Sequence, residues 1–320
     1  MALPTILLLE SLSATAEDQL RSGARVIVAD RPDSGPQHVA GEAVRGIITR
    51  GKGRVDRELI AACPELRVIA RCGVGLDNVD VAFATERGVQ VINAPGSNAD
   101  TVAEHTMALM LGLQRRLPQA HRAVSSGNWQ YRVGYAGNEI RGQRLLLLGA
   151  GNIGVRTGKL AAAFGMDISF WARTQVPAPL PNSRVVTDLP TALRHADIVS
   201  IHLPLNEGTE NLLSREMLAH LPPHALIINT ARGAIVDETA LADALQAGLL
   251  GGYAADVFSQ QPPPPDHPLL ALPNVHLTPH MASLTARTFD EMSQLTVQNT
   301  LHLLQSQKID PRYLANYIQD

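Results

Sequence analysis

Cysteine is almost missing from this chain: Cys63 and Cys72 are the only two among 320 residues. A disulfide framework is thereby excluded, and no metal-type spacing surrounds either residue. Cys72 alone keeps open a reading as a reactive thiol. Long apolar runs are lacking too, and no stretch approaches the ~18 residues that span a membrane. The opening MALPTILLLE has neither a basic start nor a small-residue cleavage site. It reads as a buried first strand, not a signal peptide, so a soluble, cytoplasmic chain with no membrane partner is expected. Charge of one sign is also scarce. A net charge of -3 without a long basic run argues against a nucleic-acid partner held by electrostatics. What is present is apolar: 45% of the residues against 18% charged. That composition supplies a large core and argues against disorder. The length suits two domains of about 100–200 residues.

Short apolar runs alternate with amphipathic stretches. Strands are predicted at Thr5–Glu10, Arg25–Ala29, Gly46–Thr49, Val68–Arg71 and Val89–Asn93, with helical patterns such as VDRELIAA between them. Such alternation predicts βαβ units on a parallel sheet. A long helix is expected through NADTVAEHTMALMLGLQRR, capped by Asn98 or Asp100. The alternation restarts at RLLLLGAGNIG, and a last amphipathic helix, roughly Leu284 to Gln305, is expected to return to the first domain. The expected organisation is thus two α/β domains: 1–97 with 285–320, and 98–284. Ligands of such sheets bind at the carboxyl ends of strands, in the cleft that two adjacent sheets create.

In LLLLGAGNIGVRTGKLAAAFG the glycines Gly149, Gly151 and Gly154 follow an apolar strand and open a helix. That G-x-G-x-x-G spacing permits a tight turn, close approach of a pyrophosphate to the backbone, and helix–strand packing. The helix N-terminus offers N–H groups and a positive dipole end. The next strand, MDISFWARTQ, ends without the acidic residue that accepts the ribose 2′-hydroxyl of NAD; Ala172, Arg173 and Thr174 stand there. Arg173 can pair with a 2′-phosphate, so NADP is favoured over NAD. The alternative leaves Arg173 a solvated loop residue stacked on adenine.

Three later strands end in residues with chemistry. ALIINTARGAIVD delivers Arg232, GYAADVFSQQP delivers Asp256 and Gln261, and HLTPHMAS delivers His280. An arginine can clamp a carboxylate and polarise a neighbouring carbonyl. A histidine can exchange a proton with that carbonyl oxygen at neutral pH.

With these residues in place, the chain resembles the D-2-hydroxyacid dehydrogenases. The likeness covers nearly the whole length and is tightest in RCGVGLDNVDVAFATERGVQVINAPGSNADTVAEHTMALML, INTARGAIVDETALADALQAG and LTPH. It implies a flavodoxin-like substrate domain, a Rossmann dinucleotide-binding domain and a homodimer built through the latter. It implies catalytic roles for Arg232 and His280, and a substrate carboxylate held by N–H groups near Val74 and Gly75. It further implies coenzyme contacts at Val74 and Val102, at Asn152 and Ile153 beside the glycines, at Thr174, Pro204 and Thr209, at Thr230 and Ala231, and at Asp256 and Ala282. Arg50 and Arg71 match phosphate-contacting arginines of phosphoglycerate dehydrogenases, and both a substrate-binding and a structural reading stay open for them. Asn98 matches the position of a substrate-binding asparagine of formate dehydrogenases, although GSN is common in the other members too.

One position departs from the family pattern D-V-F-x-x-E-P: residue 261 is glutamine. A neutral amide orients an imidazole without stabilising its charged form as a carboxylate does. The run QPPPPDHP that follows resembles the matching loop of formate dehydrogenases, and reads as a stiff loop fixing Gln261 rather than a linker. The expected activity is hydride transfer between NAD(P)H and a small 2-ketoacid such as hydroxypyruvate or glyoxylate, or a 3-phosphoglycerate-like relative. Formate oxidation and a dinucleotide-sensing corepressor are the alternatives. A regulatory domain after the last helix, and feedback through such a module, are not expected.

Overall fold

Strands rich in Leu, Ile and Val with no polar face demand cover on both sides, which parallel sheets with flanking helices provide. The computed structural model describes residues 3–33 and 35–318 and divides the chain into two units, Met1–Asn98 with Leu284–Asp320, and Ala99–Ser283.

The first unit runs β1 (Thr5–Leu8), α1 (Ala14–Gly23), β2 (Arg25–Val28), β3 (Val44–Thr49), α2 (Arg57–Ala61), β4 (Val68–Arg71), α3 (Val81–Glu86) and β5 (Gln90–Ile92). Its sheet is parallel with order β2-β1-β3-β4-β5, the flavodoxin-like order. Ser13, Asp56 and Asp80 cap α1, α2 and α3 by accepting from backbone N–H groups. The helix expected from Val55 starts two residues later, because Val55 pairs with Val79 in a bridge and Asp56 takes the cap. β1 ends at Leu8, short of the expected Glu10, whose side chain is drawn into a loop described below.

The second unit runs α4 (Ala99–Gln114), α5 (Leu117–Ser125), β6 (Arg144–Leu148), α6 (Asn152–Ala163), β7 (Asp167–Trp171), β8 (Arg184–Val186), α7 (Leu189–Arg194), β9 (Ile198–Ile201), α8 (Arg215–Leu218), β10 (Leu226–Asn229), α9 (Glu238–Gln246), β11 (Gly252–Ala255) and β12 (Val275–Leu277). All seven strands are parallel in the order β12-β11-β10-β9-β6-β7-β8. Counted from β6 this is the Rossmann order with one strand added, and it reverses between β6 and β9. Asp100 lies inside the first turn of α4 instead of capping it, and pairs with Arg156 at 2.6 Å. β8 goes beyond what the sequence signals, because RVV is too short to mark a strand and has only β7 as partner. The chain then returns to the first unit, where α10 (Ala286–Leu304) packs on α1 and β4. Leu301 of α10 lies so close to Gly23 that an added Cβ would sit 2.9 Å from it. Among the described residues, no helix is long and apolar enough to cross a membrane.

Candidate active site

The reversal of strand order places the β6–α6 turn where a dinucleotide binds, and each glycine there has a separate reason. Gly149 has φ +108°, and a Cβ would lie 2.7 Å from the His202 carbonyl oxygen. A Cβ on Gly154 would overlap the Gly149 carbonyl, so the helix could not seat on the turn. Gly151, the residue before α6, faces open space. That space would admit a phosphate beside the first-turn N–H groups of Asn152 and Ile153. Burial pushes the His202 imidazole down to about 3, so this ring is neutral and adds no charge to the cradle. Arg173 follows β7, exposed, with its guanidinium against the loop at Gly208; Thr174 beside it is exposed as well. The cradle fits a nicotinamide dinucleotide.

Arg232 follows β10 in extended conformation. Asn229 shapes its loop: the side-chain amide donates to the Arg232 carbonyl at 2.9 Å and accepts from the Ala231 N–H at 3.0 Å. Gly233 has no room for a side chain, because the Phe258–Ser259 backbone crosses it. That crossing joins the Arg232 loop to the proline-rich loop. Glu238, buried at the start of α9, accepts from the N–H and hydroxyl of Ser259 and lies 3.3 Å from Nε2 of His267. Phe258 and His267 meet edge-on. Pinned at Ser259 and His267, the proline run spans a fixed loop.

Gln261 leads that loop. Its Nε2 donates to the Phe258 carbonyl at 3.1 Å, which turns Oε1 toward Nδ1 of His280 at 2.7 Å. Oε1 only accepts, so Nδ1 carries a proton and Nε2 is the ring atom left to exchange one. His280 itself has φ +53°, an unfavourable left-handed conformation for a residue with a Cβ. Asp256, 1% exposed after β11, holds the turn: its carboxylate accepts from the Thr278 hydroxyl and from the N–H groups of Met281 and Ala282.

In the first unit, Val74 and Gly75 follow β4. The Val74 carbonyl accepts from Asn93, and the Gly73 carbonyl accepts from the Ala94 N–H. Among the described residues nothing accepts from the N–H of Val74 or Gly75, so two amides stand open to a carboxylate. Arg71 folds its guanidinium over Gly51 and Gly73 and donates to the Cys72 carbonyl at 2.6 Å. Arg50 donates to the Ser11 carbonyl and lies 4.5 Å from the Phe289 ring.

Glu10 is not among the residues expected from the sequence, yet it shapes the loop after β3. One of its oxygens accepts from four successive N–H groups, Arg50 to Gly53, and from the Thr49 hydroxyl. Burial pushes its pKa up, but these donors outweigh it and the net shift is downward. Strand order reverses between β1 and β3, where an open sheet usually receives a ligand anion; here the chain's own carboxylate fills the nest. Its sequence signal was the glycine pair in TRGKG facing an acidic strand end.

The family model for the D-isomer specific 2-hydroxyacid dehydrogenase NAD-binding domain matches residues 107–282. The chain belongs to this family. It is 39% identical over 260 residues to a glyoxylate reductase of Thermofilum pendens, covering 79% of this chain and 76% of that one. It is 38% identical over 291 residues to the D-3-phosphoglycerate dehydrogenase of Mycobacterium tuberculosis, which takes in 91% of this chain but only 55% of that longer protein. A crystal structure of an NADPH-dependent glyoxylate/hydroxypyruvate reductase from Sinorhizobium meliloti, with NADP and malonate, superposes at TM-score 0.87 with 30% identity over 99% of each chain.

As a D-2-hydroxyacid dehydrogenase the protein is an oxidoreductase, and NAD and NADP are both consistent with its family. Several side chains expected at its coenzyme are engaged in building the site. Thr209 is buried, donating to the Pro204 carbonyl and accepting from the Asn206 N–H, which closes the loop after β9. Thr230 shares a hydroxyl bond with Thr106. Val102 is buried on α4, and Ala282 on the His280 turn. Asn98 is the last residue of the first unit. A cavity of about 520 Å³ beside β8 and α7, lined by Arg144, Ser169, Arg184 and Thr191, includes none of the expected site residues.

Proposed function

We propose that this dehydrogenase reduces a small 2-ketoacid of the glyoxylate or hydroxypyruvate kind, with NADPH as the preferred coenzyme. The observation that carries the proposal is the imidazole of His280, held by Gln261 at the carboxyl end of a strand in the same unit as the glycine cradle and Arg232. Bound coenzyme supplies the hydride. Arg232 binds the substrate carboxylate, and the open amides of Val74 and Gly75 are the first unit's donors for such a group. His280 gives its Nε2 proton to the carbonyl oxygen while Gln261 keeps the ring in register. Ala172 and Arg173 support NADPH, since no carboxylate stands there to repel a 2′-phosphate. The small substrate is supported by the two arginines: Arg50 and Arg71 both spend donors on main-chain carbonyls. That use favours their structural reading over a second anion.

We also propose a homodimer in the cytoplasm. Leu117, Val124, Trp129 and Val133 are each more than half exposed along one segment of the second unit, and α5 has no buried residue. Such a patch needs cover. Sedimentation of Trp129→Glu as a monomer is the expected result.

Initial rates with glyoxylate and hydroxypyruvate, using NADPH and NADH side by side, test the main proposal. Reduction that prefers NADPH supports it, and reduction with NADH alone removes the coenzyme half. Gln261 favours one second reading, because formate oxidation needs no proton exchange. Formate oxidation without ketoacid reduction establishes that reading instead.

A further inference from the structure

Behind the His280 turn lies a side chain that the proposed chemistry does not use. His105, half-buried on α4, places Nε2 3.0 Å from the Thr278 hydroxyl and 3.7 Å from the nearer oxygen of Asp256. The Thr278 hydroxyl has one proton, and at 2.5 Å it goes to Asp256, which as a carboxylate only accepts. Toward His105 the same hydroxyl therefore accepts, and Nε2 of His105 carries a proton. The chain of bonds has one direction: His105 to Thr278 to Asp256. A buried carboxylate requires such donors.

The end of this chain matters because of what Asp256 holds. His280 keeps a left-handed φ of +53° that its own backbone resists, and such a conformation persists only where surrounding bonds over-determine it. The Asp256 carbonyl accepts from the His280 N–H, and its carboxylate accepts from Met281 and Ala282 just beyond. Every one of these bonds depends on where the Asp256 side chain and backbone sit. We infer that His105 and Thr278 are positioning residues for the proton transfer by His280, acting through Asp256 on the turn that presents the imidazole to Gln261. The inference rests on the acid–base role proposed above for His280.

Thr278→Val keeps the shape and deletes the hydroxyl, whereas Thr278→Ser restores it. His105→Leu deletes the donor, whereas His105→Gln returns an N–H. Misplacement of a reacting group by about 1 Å costs on the order of 100-fold. The expected result is a fall in kcat of roughly 10- to 100-fold for Thr278→Val and His105→Leu. Coenzyme Kd and ketoacid KM should stay near the wild-type values, and Ser and Gln should recover most of kcat. If Thr278→Val does not fold, the His105 pair decides. Equal kcat in His105→Leu and His105→Gln overturns the inference, as does a loss confined to coenzyme Kd. His280→Gln is the control. If it turns over normally, the acid–base reading itself fails; if it is inactive while Thr278→Val and His105→Leu are not, only the positioning chain fails.

Discussion

Replacing Gln261 by glutamate puts a carboxylate oxygen where the amide oxygen now meets Nδ1 of His280 at 2.7 Å. The neutral imidazole gains little from that exchange, but the imidazolium gains a charge partner. Unit charges about 4 Å apart interact by about 1 kcal/mol in water and about 4 kcal/mol at an effective dielectric near 20. At 1.36 kcal/mol per pKa unit this is a rise of about one to three units. Both residues are exposed, and the glutamate gives up the bond that Gln261 makes to the Phe258 carbonyl. Screening and that loss select the low end, about one unit. Ketoacid reduction needs the protonated ring, so its rate falls as pH rises past the imidazole pKa. The kcat profile of Gln261→Glu across the neutral and alkaline range should therefore have its descending limb about one pH unit above wild type. The gap should narrow in high salt. A limb that stays in place, or moves to lower pH, refutes the assignment of His280 as the proton donor oriented by residue 261.

The other predictions address the coenzyme cradle and the first unit. Gly154→Ala forces a methyl against the Gly149 carbonyl and should cost about 1–3 kcal/mol in urea unfolding. Gly151→Ala meets nothing within the protein, so its stability should match wild type while coenzyme Kd rises; unfolding and fluorescence titration separate the two. Arg173→Ala should lose at least about tenfold in kcat/KM with NADPH and little with NADH, as expected for one charge-assisted phosphate contact. Glu10→Gln replaces the acceptor of five donors and should lose about 1.5–3 kcal/mol at neutral pH. Because the folded pKa of Glu10 lies below its usual value of 4.5, its contribution is complete above that value and disappears as pH falls through the lower folded value. The wild-type and Glu10→Gln stabilities should accordingly converge in acid, read by denaturant titration at several pH values.

Much of this molecule is determined by local sequence. The alternation of apolar runs dictates two parallel sheets, because strands apolar on both faces need helices on both sides. G-x-G-x-x-G after LLLL marks the cradle: Gly154 answers a steric demand five residues back, at the Gly149 carbonyl, whereas the group that crowds Gly149 is the distant His202 carbonyl and Gly151 faces open space. Arg232, Gln261 and His280 stand out in the sequence because strand ends in such sheets carry chemistry, and the fold sets them after β10, β11 and β12. The proline run was legible as a stiff loop, but what pins it was not: Glu238 reads locally as a helix start and reaches Ser259 and His267 only in the folded unit. Glu10 reads as the last residue of a strand, and its acceptors lie 39 to 43 residues away. Asp256 reads as a coenzyme contact, yet its carboxylate is committed to the turn after β12. His105 lies 173 residues from Thr278. Periodicity and steric fit act over a few residues and can be read along the chain. Charge compensation and hydrogen-bond satisfaction act over distances in space, so tertiary structure alone decided which carboxylate holds which loop.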